Sequence, residues 1–92
     1  EEVDLLKMDI EGAELEVLRE AKDHLDKVKC AFIEYHSFDG QEQKLDELLS
    51  IISAAGFRYF IQSLYQLNAP FIEHRVESGM DLQLNIFAYR NS

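Results

Sequence analysis

A chain of 92 residues that is 47% hydrophobic, 11% aromatic and 29% charged, with Gly 4 and Pro 1, has room for one modest core. This composition excludes an intrinsically disordered, collagen-like or low-complexity polypeptide, and no apolar run approaches the roughly 18 residues of a membrane span. The formal net charge of −9 lies wholly in residues 1–47, while Arg58, Arg75 and Arg90 stand apart from one another, so direct nucleic-acid binding is excluded too.

In chain order, residues 3–8 form a short, mostly apolar run that reads as a strand and ends in Asp9-Ile10-Glu11-Gly12. The pattern then switches to helical spacing, with Leu15, Leu18, Ala21 or Lys22, and Leu25 on one stripe and acidic residues in the first turn, where they complement the helix dipole. Residues 28–35, rich in β-branched and aromatic side chains and too short for a second helix, read as a buried strand that takes Cys30 into the core as an inert thiol. Ser37-Phe38-Asp39-Gly40 supplies turn chemistry. A second helix over 41–55 follows, with Leu45, Leu48, Leu49, Ile52 and Ala55 on one stripe and Gly56 as its stop. Residues 57–62 read as a third strand. Residues 82–89 alternate, Leu82, Leu84, Ile86 and Ala88 against Gln83, Asn85, Phe87 and Tyr89, and form a fourth. The connector 64–81 has no clear periodicity and is long enough to be functional or flexible.

Strand, helix, strand, helix, strand, loop, strand is an α/β order, and right-handed crossovers make the first two or three strands parallel. The last strand follows its predecessor without a helix and is expected to return antiparallel. The first strand begins almost at residue 1, leaving its outer edge uncovered and open to pairing with another chain. The N-terminal Glu-Glu-Val-Asp has neither the basic region nor the apolar core of a signal peptide. A single Cys30 makes no internal disulfide, and a cytoplasmic location is expected.

Ligands of open parallel sheets bind beyond the carboxyl ends of the strands. That rule selects Asp9, Glu11 and Gly12 after the first strand, and Glu34, Tyr35, His36 and Ser37 at the end of the second. If the two strands are neighbours, an Asp-x-Glu faces a Glu-x-His, a set of acids, bases and metal ligands. Each member also has a plain structural reading. Asp9 and Glu11 suit a helix N-terminus, Gly12 a tight strand-to-helix turn, and His36 an ordinary loop position. Glu34 is harder to dismiss, since a carboxylate late in an apolar strand must reach solvent, a partner or a ligand. No dedicated metal-ligand spacing is present and no metal is expected, although a metal-assisted hydrolase built on this cluster is an alternative. His24 and His74 read as surface residues.

The block Leu6-Lys7-Met8-Asp9-Ile10-Glu11-Gly12-Ala13-Glu14, with Val17-Leu18 and then Phe32-Ile33-Glu34-Tyr35-His36, resembles the FkbM family of S-adenosylmethionine-dependent methyltransferases. The resemblance implies that residues 1–92 are the C-terminal half of that family's catalytic domain. The fold is then part of a class I methyltransferase sheet, Rossmann-like, with about four strands and two main helices, its last strand inserted antiparallel between the second and third. It further implies methyl transfer from S-adenosylmethionine to a hydroxyl of a small molecule or sugar. Asp9, Glu11 and Gly12 would lie beside the cofactor, Glu34 and His36 would flank the acceptor, and Asp9 or His36 would be the base. The glycine-rich cofactor loop of such domains is missing, because Gly12, Gly40, Gly56 and Gly79 are scattered singly. The 92 residues alone are therefore expected to bind the cofactor weakly or not at all and to be inactive by themselves, and an alternative role is that of an interaction module pairing through its first strand.

Overall fold

Alternation of apolar and polar side chains over the strands, and a three-to-four spacing over the helices, produce a sheet with helices on one side. The computed structural model describes residues 3–10 and 14–91. Its elements are β1 (Val3–Ile10), α1 (Glu14–Ala21) continued by a 3-10 segment (Lys22–Lys27), β2 (Val28–Phe38), α2 (Leu45–Ala54), β3 (Arg58–Ser63) and β4 (Met80–Tyr89). The sheet order is β1-β2-β4-β3. β1 and β2 are parallel, and β4 runs antiparallel to both β2 and β3, so the last strand is inserted between the second and third as expected. β1 forms one edge of the sheet and β3 the other.

The core lies between the sheet and the helices. From the sheet it takes Ile10, Ala31, Ile33, Tyr35, Leu84, Ile86 and Ala88, and from the helical layer Leu15, Leu18, Leu25, Leu48 and Ile52, all buried. Both helical stripes therefore face inward, with Leu45, Leu49 and Ala55 partly buried beside them. The opposite face of the sheet carries Leu5, Cys30, Phe32, Phe60, Phe87 and Tyr89. Phe32 and Phe60 flank Phe87 at ring-centroid distances of 5.1 and 6.4 Å, while Leu5 and Phe60 are 62% and 58% exposed.

Cys30 is exposed rather than a core thiol. The strand is apolar on both faces, but among the described residues helices cover only the face of Ala31, Ile33 and Tyr35. β2 also runs three residues past its expected end, so His36, Ser37 and Phe38 belong to a strand and the turn is confined to Asp39 and Gly40. Ladder pairing with β4 reaches His36↔Gln83 and Ser37↔Leu82, and it outweighs the turn preference of serine. The second helix starts at Leu45 instead of residue 41. β3 and β4 begin at Arg58 and Met80, one residue later and two earlier than the sequence pattern suggests.

Two chain reversals have definite backbone chemistry. After α2, Phe57 N–H donates to Ile52 O (3.1 Å) and Gly56 N–H to Ser53 O (3.0 Å), the paired bonds of a Schellman motif, with Gly56 at φ 93°. Before β4, Glu77 and Met80 exchange both backbone hydrogen bonds at 2.9 Å around Ser78 and Gly79. Both central residues have positive φ, 54° and 80°, as a type I′ hairpin turn requires.

Candidate active site

The parallel register sets Asp9 opposite Glu34 and Ile10 opposite Tyr35. With a side-chain period of two, Asp9, Glu34 and His36 then share the face away from the helices, while Ile10, Tyr35 and Ser37 share the covered one. His36 lies between the two carboxylates. Its Nδ1 is 3.4 Å from Asp9 Oδ1 and its Nε2 is 4.0 Å from Glu34 Oε2. The imidazole is 12% exposed, against 58% for the Asp9 side chain and 34% for that of Glu34, so the cluster has a sheltered base and an open mouth. In this arrangement the imidazole lies within ion-pair distance of both carboxylates, one at each ring nitrogen.

Asp9, Glu34 and His36 are thus brought together. Glu11 and Gly12, also selected from the sequence, lie outside the described residues. His36 is a strand residue, not a loop one, and its backbone is fixed by pairing with Gln83. His24 and His74 are exposed, as expected.

The covered side of the same strand end builds the floor beneath the cluster. Tyr35 is buried, and its hydroxyl accepts a hydrogen bond of 2.8 Å from the Lys44 N–H at the start of α2. That helix has no side-chain cap at Lys44, and Tyr35 satisfies one of its orphan donors instead. Ser37, also buried, donates to Asp81 Oδ1 at 2.6 Å and accepts from Gln43 Nε2 at 3.3 Å. One serine therefore ties β2, β4 and the approach to α2 together. Neither partnership is written in the local sequence, although continuing the alternation of Ala31, Ile33 and Tyr35 would have turned Ser37 inward.

Two hollows adjoin this end of the sheet. A cleft of about 50 Å³ lies beside Ile10, Tyr35, His36 and Lys44. A groove of about 360 Å³ lies under the connector, lined by Asp39, Gln43, His74, Arg75, Asp81 and Leu82. The connector has order of its own: Arg75 donates to Glu77, and its guanidinium carbon is 4.6 Å from the centroid of the Tyr65 ring. The Glu77 hydrogen bond raises the Arg75 pKa above its already high ordinary value.

The carboxylates and the imidazole thus stand at the ends of two parallel strands of an α/β fold. The family model described as the methyltransferase FkbM domain matches residues 1–59, from β1 into the start of β3 and including the whole cluster. The chain belongs to the FkbM methyltransferase family. No curated protein and no solved structure matches it. Membership favours a transferase over the metal-assisted hydrolase.

Proposed function

We propose that the chain is the C-terminal half of an S-adenosylmethionine-dependent O-methyltransferase domain, of the Rossmann-like class I fold, acting on a hydroxyl of a small molecule or sugar. The observation that carries this reading is the cluster of Asp9, Glu34 and His36 at the carboxyl ends of two paired parallel strands, inside the family match. A hydroxyl acceptor needs a base and an alignment, and these residues supply both. Asp9 or His36 takes the hydroxyl proton as the oxygen becomes nucleophilic, and Glu34 holds the imidazole from its other side. The polar groove beneath the connector, with Asp39, Gln43, His74 and Arg75 along it, suits an acceptor rich in hydroxyl groups.

The residues present do not by themselves fit the cofactor. The cleft of about 50 Å³ at the strand ends is far below the roughly 300–1,000 Å³ of a small-molecule site, and the sequence has no glycine-rich loop. Calorimetry on the 92 residues is therefore expected to show no micromolar binding of S-adenosylmethionine, and such binding would refute the half-domain reading. In a longer polypeptide that joins this segment to a glycine-rich cofactor half, Asp9→Asn and His36→Ala should each lower turnover by about 10²-fold or more. Unchanged turnover in both would remove these residues from the chemistry.

A second reading, an interaction module that pairs with another chain, is favoured by the place of β1 at the sheet edge. It predicts concentration-dependent self-association, and a clean monomer in sedimentation at high concentration would count against it.

A further inference from the structure

We infer that Asp9, Glu34 and His36 form a binding site for one divalent first-row metal ion of the Mn²⁺ type. The inference rests on the same residues as the proposed active site, but not on methyl transfer.

Asp9↔Glu34 pairing places two carboxylates on adjacent parallel strands, and His36 follows Glu34 by one side-chain period on the same face. One potential ligand atom from each residue, two carboxylate oxygens and an imidazole nitrogen, lies within 4.8 Å of the others. Metal–ligand bonds of about 2.0–2.2 Å put neighbouring ligand atoms about 3 Å apart. The 3.4 Å between His36 Nδ1 and Asp9 Oδ1 is close to that already. Only one imidazole nitrogen can face the ion, and the 4.0 Å to Glu34 Oε2 is measured from the other one. With the set spanning up to 4.8 Å, a contraction of up to about 1.8 Å remains, and it falls to Glu34 and Asp9, whose partly exposed side chains can rotate without disturbing the core. His36 contributes rigidity, since its ring is largely covered and its backbone is held by β4.

The donor set also selects the ion. Two carboxylates and one imidazole suit Mn²⁺, Fe²⁺, Co²⁺ or Zn²⁺, whereas Mg²⁺ and Ca²⁺ prefer oxygen alone. All three ligands lie on the sheet side, so the positions facing outward stay open to water or to a hydroxyl of the acceptor. An ion held here would make a coordinated hydroxyl more acidic, so that its proton could pass to solvent water as the oxygen becomes nucleophilic.

The test is titration of the full 92-residue chain with MnCl₂ at about 0.15 M salt, following loss of the electron paramagnetic resonance signal of free Mn²⁺. The expected result is one Mn²⁺ per chain with a Kd well below about 1 mM. Asp9→Asn, Glu34→Gln and His36→Asn should each weaken binding at least about tenfold with circular dichroism unchanged. Asp46→Asn removes the same charge from an exposed position on α2 and should leave binding as it was. A Kd above about 1 mM for the folded wild-type chain overturns the inference. So does an equal weakening by Asp46→Asn, which would trace binding to the diffuse field of a −9 chain. The two proposals fail separately. Lost turnover in Asp9→Asn without Mn²⁺ binding overturns the metal site and leaves the base in place, whereas Mn²⁺ binding with unaffected turnover does the reverse.

Discussion

Arg90, just beyond β4, is predicted to be the most costly polar side chain to remove. It is half-buried, and its guanidinium donates to three backbone carbonyls: Leu25 O at 2.6 Å, Ala55 O at 2.7 Å and Val28 O at 2.8 Å. The first closes the 3-10 segment, the second is an orphan acceptor at the end of α2, and the third opens β2. The guanidinium also lies over Phe57, 4.1 Å from the ring centroid. A hydrogen bond from a charged donor contributes about 1.5–3 kcal/mol, and a cation over an aromatic ring about 0.5–1 kcal/mol at a partly exposed site. Three bonds from one side chain do not add fully, and water can reach some of the freed carbonyls. Arg90→Ala is therefore expected to cost about 3 kcal/mol, out of about 5–14 kcal/mol for a domain of this size. That corresponds to a fall in Tm of about 12–24 °C. Urea unfolding followed by circular dichroism, extrapolated linearly, measures the loss. Arg90→Lys keeps the charge but not the planar fork, and should recover less than half of it. A loss below about 1 kcal/mol for Arg90→Ala, or full recovery by lysine, would refute the three-carbonyl account.

Three further outcomes follow from the same geometry. Gly56→Ala forces a Cβ into a φ of 93° and to within 2.9 Å of Arg90 Nη1, so its unfolding free energy should fall by about 1–2 kcal/mol or more; a neutral substitution would mean that the Schellman turn relaxes freely. Tyr35→Phe removes the acceptor of the Lys44 N–H, which should cost about 0.5–1.5 kcal/mol in the same assay and speed hydrogen exchange at the start of α2; unchanged exchange there would contradict the cap. The hydrogen bond from Arg19 holds the Glu47 carboxyl below its ordinary 4.5. The stabilisation from this α1–α2 pair is thus complete above the ordinary carboxylate range and disappears as pH falls through the lowered folded value. Glu47→Gln should be less stable than wild type at neutral pH and equal to it in strong acid, and a gap that does not depend on pH would sink the assignment.

The periodic parts of this fold were legible in the sequence because periodicity is a local signal. Leu84, Ile86 and Ala88 alternate inward as their spacing requires, and Leu48 and Ile52 lie on the stripe that faces the sheet. Asp9, Glu34 and His36 were legible as strand-end residues, and their meeting depended only on β1 and β2 being neighbours. Cys30 was misplaced because an apolar strand does not reveal which of its faces a helix will cover, and β2 has helices on one. Arg90 left no trace, since its carbonyl partners lie 35, 62 and 65 residues away and a carbonyl has no residue identity to read. Tyr35 and Ser37 were seen as members of a strand end, but their bonds to Lys44 and Asp81 arise only when α2 and β4 are brought alongside.

The end of β2 shows how one strand can hold core packing and a polar cluster without conflict. Its side chains alternate, so consecutive residues answer to different constraints. Tyr35 and Ser37 point to the helices, where they are 3% exposed and fully engaged in binding α2 and β4. Glu34 and His36 point the other way, where no helix among the described residues covers them and where Asp9 completes a polar cluster. A slip of one residue of β1 against β2 would turn Asp9 into the core and expose Ile10, while Glu34 and His36 stay where pairing with β4 holds them, a change that desolvation of the carboxylate and loss of apolar burial forbid. The cluster is therefore protected by the hydrophobic pattern of the opposite face. Packing of Ile10, Ile33 and Tyr35 against the helices fixes the register, and the register sets Asp9 beside Glu34. No separate device is needed to align the two carboxylates, because the core has already done so.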